Sequence, residues 1–292
     1  MPRSVLVVHE DNVLRALTDD GAFRVIVADT TATVRGAIAA QRPEGAELVR
    51  AFADLLTGAV LVRESMAPDY RLQAILQGNE RRCRMVADTH PDGATRGLVQ
   101  LPQGTKTLAY DQGVLQVART LHNGALHQGV VEVPPSNPTI SGAFMAYMQA
   151  SEQVATMIAV GCHMAGGEVV AAGGYMVQLL PELEEGPLMV MTERLKDFED
   201  IVPMLARGDV SPSVLLSEVL YGMPYTKVGD RPVSFACYCS PERLMGSLAS
   251  LPRGDIESLM EGGRTLDIEC DYCRTNYKFT VDQLKSLLAP AN

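Results

Sequence analysis

Phe235-Ala236-Cys237-Tyr238-Cys239-Ser240-Pro241-Glu242-Arg243 and, after 30 residues beyond Cys239, Cys270-Asp271-Tyr272-Cys273 are the stretches from which the rest of the chain is read. Two close cysteine pairs on separate elements suit one tetrahedral zinc with four thiolate ligands, Cys237, Cys239, Cys270 and Cys273. A C-x-x-C turn alone says little; a second pair at this separation makes the pattern specific. Four thiolates fill the shell, so no position is left for an activated water and hydrolytic zinc chemistry is not expected. The C-x-C half is tighter than the usual knuckle. It holds its sulfurs near enough to join locally if the metal leaves, and a metal-bound thiolate is already the reactive form of cysteine. Spacing alone fits a permanent structural zinc as well as a thiol switch.

The surrounding 56 residues, 237–292, parse as a small module. Ser240-Pro241 opens a helix carrying Leu244, Leu248 and Leu251 that ends at Pro252. Asp255 is expected to cap a short helix stopping at Gly262-Gly263. Thr265 to Cys270 alternates as a strand, Tyr277 to Phe279 returns, and Thr280 with Gln283 forms a capping box before a last helix. So few apolar residues leave the module marginal without metal, where structural zinc contributes about 10–16 kcal/mol in small domains.

The whole chain has 292 residues, enough for two domains, with 47% hydrophobic and 21% charged residues. Its net charge of −10 lacks the positive field that drives phosphate binding, and residues 237–292 carry six basic against eight acidic side chains. Nucleic acid is therefore not an expected partner. The apolar run at Val5–Val8 is too short for a signal segment, and the longest apolar stretch, Leu55 to Val62, falls short of a membrane span. These point to a cytoplasmic protein with no membrane partner, where six cysteines favour metal or redox chemistry over structural disulfides.

Upstream, alternating and helical periodicities mix, which predicts an α+β N-terminal domain with a mixed or antiparallel sheet and packed helices over 1–181. Strand-like runs are Ser4–His9, Phe23–Ala28, Arg71–Leu76, Cys83–Asp88, Thr105–Tyr110, Val114–Thr120 and Gly129–Val133. Thr31 is expected to cap a helix that ends before Pro43, and Ala46 to Glu64 reads as a long buried helix. Gly142 to Val160 also reads as helix, and Glu168 to Leu180 as a strand whose Gly173-Gly174 marks a bulge or a close backbone approach. Residues 182–236 carry ten acidic and five basic side chains and form a helical linker. There Thr192 is expected to cap a first helix kinked or ended by Pro203, and Ser211-Pro212 starts another. These short amphipathic helices have no core of their own and must bury their apolar faces on a neighbour. The C-terminal four-cysteine zinc domain follows at 237–292.

Phe235 to Arg243 with Cys270 to Cys273 resembles the heat shock protein 33 family of redox-regulated holdase chaperones. Ser151-Glu152-Gln153 and Gly173 to Pro181 resemble that family's N-terminal domain, so the likeness spans nearly the whole chain. The resemblance implies a reduced, zinc-bound form inactive as a chaperone. Oxidant with unfolding stress then forms Cys237–Cys239 and Cys270–Cys273 disulfides, releases the one zinc and loosens the linker. The active form holds unfolding client proteins without ATP and tends to homodimerise. The absence of a G-x-x-x-x-G-K-[ST] loop agrees, and no paired acid–base or nucleophile motif suggests an enzyme. The alternative is a permanently structural zinc ribbon acting as a nucleic-acid or protein binding module.

Other residues have plainer readings. Cys162-His163 and Cys83 read as structural, His122 and His127 as surface histidines, and Arg81, Arg82 and Arg84 as a solvated turn. Met189 and Met191 fit either core filling or an adaptable client surface.

Overall fold

The computed structural model describes residues 10–80, 82–121, 123–181, 185–208 and 211–288. The run at Ser4–His9, Arg81 and His122 lie outside the described residues. The chain divides into two compact units, Met1–Ala236 and Cys237–Asn292.

The first unit is built on two sheets. One has the order β10 (Tyr225–Pro232), β1 (Asn12–Thr18), β2 (Phe23–Asp29), β9 (Glu168–Leu179), β8 (Thr156–Ala165), all antiparallel. The other runs β11 (Ser234–Phe235), β5 (Ala94–Gln100), β4 (Arg84–Thr89), β3 (Arg71–Gln77), β6 (Val114–Thr120), β7 (Leu126–Glu132); it is antiparallel except for the β11–β5 pair. Between them lies α2 (Ala46–Glu64), which meets strands of both sheets. Its sequence is apolar on most sides, as suits a helix buried everywhere but at its first turn and along the stripe of Glu47, Arg50 and Asp54. Phe52, Leu55, Leu56 and Leu61 join Leu72 and Leu115 of one sheet and Ile26 and Met176 of the other in one core. At Gly58 the helix has no side chain, and a Cβ there would fall 2.2 Å from the Phe144 ring of α3 (Ile140–Tyr147).

Strand alternation gives the first sheet a second buried face. Ile26 and Ala28 turn to the α2 core, while Val25 and Val27 turn to the other side. There they meet α4 (Glu185–Lys196), α5 (Val202–Leu205) and α6 (Pro212–Val219) through Met191, Leu195, Leu205, Leu215, Leu216 and Val219. The amphipathic helices of 185–220 thus cover the sheet, and Ser211 caps α6 with Pro212 in its first turn.

Buried ions hold the strands in place. Arg63 bonds Glu64 at 2.6 Å and the carbonyls of Tyr70, Pro91 and Pro68. Glu64 is also approached by Arg15 of β1 at 3.6 Å and Arg231 of β10 at 3.9 Å. On the second sheet, fully buried Asp88 pairs with Arg71 at 2.6 Å and Arg96 at 2.8 Å.

Several expectations are corrected. Gly142 to Val160 is not one helix: α3 passes into a π turn at Met148–Glu152, Gln153 takes a left-handed φ of 58°, and β8 begins at Thr156. Val154, Thr156, Ile158 and Val160 fit a two-residue period, and β9 pairs with the last three. Thr105–Tyr110 makes no ladder; it follows a Gly104 turn, and its backbone bonds are those of turns and a single tie to Asn79 N through Ala109 O. Thr31 sits inside α1 (Thr31–Gln41), where its hydroxyl bonds Asp29 at 2.7 Å, and Thr30 is the capping position. Thr192 lies within α4, which stops at Lys196, and Pro203 sits in the first turn of a separate helix, α5, rather than kinking or ending a longer one. Gly173-Gly174 is a close approach, since a Cβ on either would stand 2.6 Å from the carbonyl oxygen of Ala28 or Ala159; the irregular register falls instead at His163/Met164. Strands β1, β5, β10 and β11 were not anticipated.

The second unit holds α7 (Pro241–Ala249), α8 (Arg253–Leu259), the hairpin β12 (Leu266–Glu269) and β13 (Asn276–Phe279), and α9 (Val281–Ser286). Pro252, not Asp255, is the capping position of α8, and the Thr280–Gln283 capping box is formed. Its core centres on Leu248, Phe279 and Leu284.

Candidate metal centre

Each cysteine pair is set by local structure. Ser240 caps α7 by accepting from Arg243 N at 3.2 Å, which fixes the chain direction directly after Cys239. Arg243 reaches back to the Tyr238 carbonyl at 2.9 Å and lies over the Tyr238 ring, which holds the residue between the two sulfurs. The other pair occupies the β12–β13 turn. Cys270 N bonds Thr275 O and Arg274 N bonds Cys270 O, both at 2.9 Å, with Arg274 left-handed at φ 59°.

These elements bring all four sulfurs within 4.8 Å of one another. Cys237 Sγ lies 3.7 Å from Cys270 Sγ, and Cys239 Sγ lies 3.2 Å from Cys273 Sγ. A tetrahedron with metal–sulfur bonds of about 2.3 Å separates its sulfurs by roughly 3.8 Å, so the donors fit a four-thiolate metal site. A disulfide needs about 2.05 Å, and all six cysteines are free thiols. Among the described residues this is the one group of such side chains with ligand atoms this close.

Two partners were not anticipated from the sequence. Tyr277 of β13 places its hydroxyl 3.1 Å from Cys239 Sγ and 3.2 Å from the Cys239 carbonyl. Thr275 Oγ1 lies 3.2 Å from Cys273 Sγ. The signal was present as Thr275 and Tyr277 just beyond the C-x-x-C turn, one of them on the return strand. Burial pushes the Cys239 thiol up to about 12 and raises Cys270. At Cys273 burial acts the same way, but hydrogen bonds from Thr275 and the neighbouring thiols bring it down to about 7. The bond to Cys239 raises the Tyr277 phenol, which keeps its hydrogen beside that residue's sulfur and carbonyl. Metal coordination would remove the remaining thiol protons outright.

The remaining cysteines are elsewhere. Cys83 and Cys162 are buried in the α2 core, with Cys162 raised to about 12 by burial. His127 lies exposed on β7 and Arg82 exposed in a turn, as read; Arg84 is exposed too but is the first residue of β4, not part of the turn. Met191 is buried, whereas Met189 is 71% exposed.

A family model described as Hsp33 protein matches residues 11–280. The chain belongs to the Hsp33 family. It is similar to the 33 kDa chaperonin of Syntrophotalea carbinolica, 29% identical over 96% of this chain and 100% of that one. The 33 kDa chaperonin of Listeria monocytogenes is 28% identical over 96% of this chain and 99% of its own length. The crystal structure of the Thermotoga maritima 33 kDa chaperonin shares the fold, with a TM-score of 0.80 at 23% identity, over 96% of this chain and 98% of that one. Hsp33 proteins are redox-regulated chaperones rather than enzymes, and this member carries the C-terminal four-cysteine cluster. No helix among its described residues is long and apolar enough to cross a membrane.

Proposed function

We propose that this chain is a cytoplasmic, ATP-independent holdase whose Cys237, Cys239, Cys270 and Cys273 hold one zinc in the reduced, inactive form. The observation that carries the reading is the cluster of four sulfurs on a module with so small a core. Zinc, when bound, supplies the cross-link that this core lacks.

The cysteines then act as the sensor. Two thiols joining as a disulfide give up two protons and two electrons, and one hydrogen peroxide is reduced to two waters. Local pairing, Cys237–Cys239 and Cys270–Cys273, closes very short loops that restore little of the lost stability. The module unfolds, and the helices α4 to α6 of the metastable linker follow. Undocking α4 to α6 bares the apolar face of Val25, Val27 and Phe23, which unfolding clients occupy; the active form is a homodimer. In this reading 1–181 is the client-binding domain and 237–292 the switch.

The test follows zinc release and client light scattering together during oxidation by peroxide with mild heat, in wild type and Cys237→Ser. Expected are one zinc released per chain, suppression of scattering in step with release, and peptide maps joining 237 to 239 and 270 to 273. Fully oxidised, zinc-free protein that suppresses no aggregation overturns the reading. Zinc retained under oxidant would favour a structural ribbon instead.

A further inference from the structure

Asp54 is an acid in the middle of the helix that the two sheets enclose. Its Oδ1 exposes less than 1 Å² and has no hydrogen-bond partner. Leaving such a group unpaired is costly, and native proteins rarely do so without a reason. Asp54 stands on the walls of two cavities, of 540 and 710 Å³. Both fall in the size range of small-molecule sites.

The larger cavity has a definite chemistry. Its acids are Asp54 on α2 and Glu199 and Asp200 on the α4–α5 connection, against a single cation, Arg50. Met145, Met157, Ile158 and Val160 add apolar wall. Two carboxylates and a third acid that can yield its proton, against one guanidinium, call for positive charge. They do not form a metal site, because their oxygens do not gather as the four cysteine sulfurs do. Nor is the site a nucleophile's: Cys162 lines it, but burial and then the Asp54 charge push that thiol up to about 12. A ligand that suits separated acids and an apolar wall carries separated cationic ends on a hydrocarbon chain.

We propose that this cavity binds an aliphatic diamine, with one ammonium on Asp54 and the other on Glu199 and Asp200. The site shares no residue with the four-cysteine cluster, but Glu199 and Asp200 lie on the α4–α5 connection that undocks in the proposed function, so it belongs to the reduced, docked form. Burial holds the Asp54 carboxyl up at about 8, so at pH 7 an arriving ammonium displaces its proton to solvent.

The experiment is calorimetric titration of the reduced full-length protein with 1,5-diaminopentane at pH 7 and fixed ionic strength. Buffers of different ionisation enthalpy report proton release, and 1-aminopentane and magnesium chloride are the comparison ligands. Expected are one site per chain, weaker binding of the monoamine, and proton release on binding. Asp54→Asn should weaken binding by about tenfold or more, the loss of one charge-assisted hydrogen bond, and should abolish proton release. Glu199→Gln should weaken the diamine but not the monoamine, and Glu168→Gln should change neither. Wild-type affinity in Asp54→Asn overturns the proposal. So does magnesium binding as tightly as the diamine, which would mark general attraction to an acidic chain. Should Asp54→Asn fail to fold, wild-type binding without proton release overturns it equally.

Discussion

Leu216→Ala separates the docked linker from the zinc module. Leu216 is fully buried, at 0% exposure, in the cluster that α4, α5 and α6 form on the first sheet with Leu14, Phe23 and Val25. Truncating a buried leucine costs about 2–5 kcal/mol. Helices of four and eight residues, α5 and α6, have almost no stability of their own, so the loss falls on docking. Even the low end shifts the docked-to-undocked ratio about thirtyfold. The assay is hydrogen exchange on the reduced, zinc-loaded variant, beside light scattering of an aggregating client. Exchange should quicken across 185–220 by about thirtyfold or more while α2 is unchanged, and aggregation should be suppressed without oxidant. If exchange quickens and the client still aggregates as with wild type, undocking is not what bares the client surface. If exchange does not change, the linker is not held by this cluster.

A zinc chelator added to reduced protein should unfold the C-terminal module, with exchange of β12 and β13 becoming rapid, while the β1–β2–β9 ladder stays protected. Asp88 is held below the usual carboxylate range: burial opposes this, but bonds from His90, Arg71 and Arg96 outweigh it. A depressed carboxyl stabilises the fold above its unfolded pKa and loses that contribution as pH falls through the folded value. Asp88→Asn should therefore cost about 3–5 kcal/mol at pH 7, seen in urea unfolding, with the difference from wild type shrinking in acid. Asp54 has the opposite sign. Its pKa is raised from 3.8 to about 8 by burial, so the native state holds an extra proton in that window and loses stability as pH rises through it. Asp54→Asn should melt progressively higher than wild type between pH 5 and 9; a constant offset would contradict this.

The four cysteines were legible because a tetrahedral thiolate site constrains spacing more than it constrains anything else in sequence. Their helpers were not, since Thr275 before the return strand and Tyr277 on it are ordinary residues until the hairpin register aims them at sulfur. Ala46–Glu64 was legible at both ends, because a helix apolar on most sides has few other readings. Val154 and Ile158 are four apart and two steps of two apart, so they fit helix and strand alike; the left-handed Gln153 that decides between them leaves no mark in composition. β5 was missed because Arg96 and Gly97 break its apolar pattern, though Arg96 is there to meet Asp88. Asp54 looked like the border of an apolar stretch. Glu47, Arg50 and Asp54, spaced three and four apart as a polar stripe on an otherwise apolar helix, were the available signal.

The register of β10 against β1, from Asn12 opposite Pro232 to Thr18 opposite Tyr225, gives the linker a second anchor. Residues 180–224 run from the end of β9 to the start of β10, and both strands belong to the same sheet. Once its helices leave the surface, this segment is a belt buckled at both ends, not a loose tail. It cannot drift away from the face it covered, and its return is an intramolecular search whose closure entropy is fixed in advance. A protease cut within the belt would leave the two pieces held by the sheet. The covered and uncovered states can therefore alternate many times without the molecule having to fold anew.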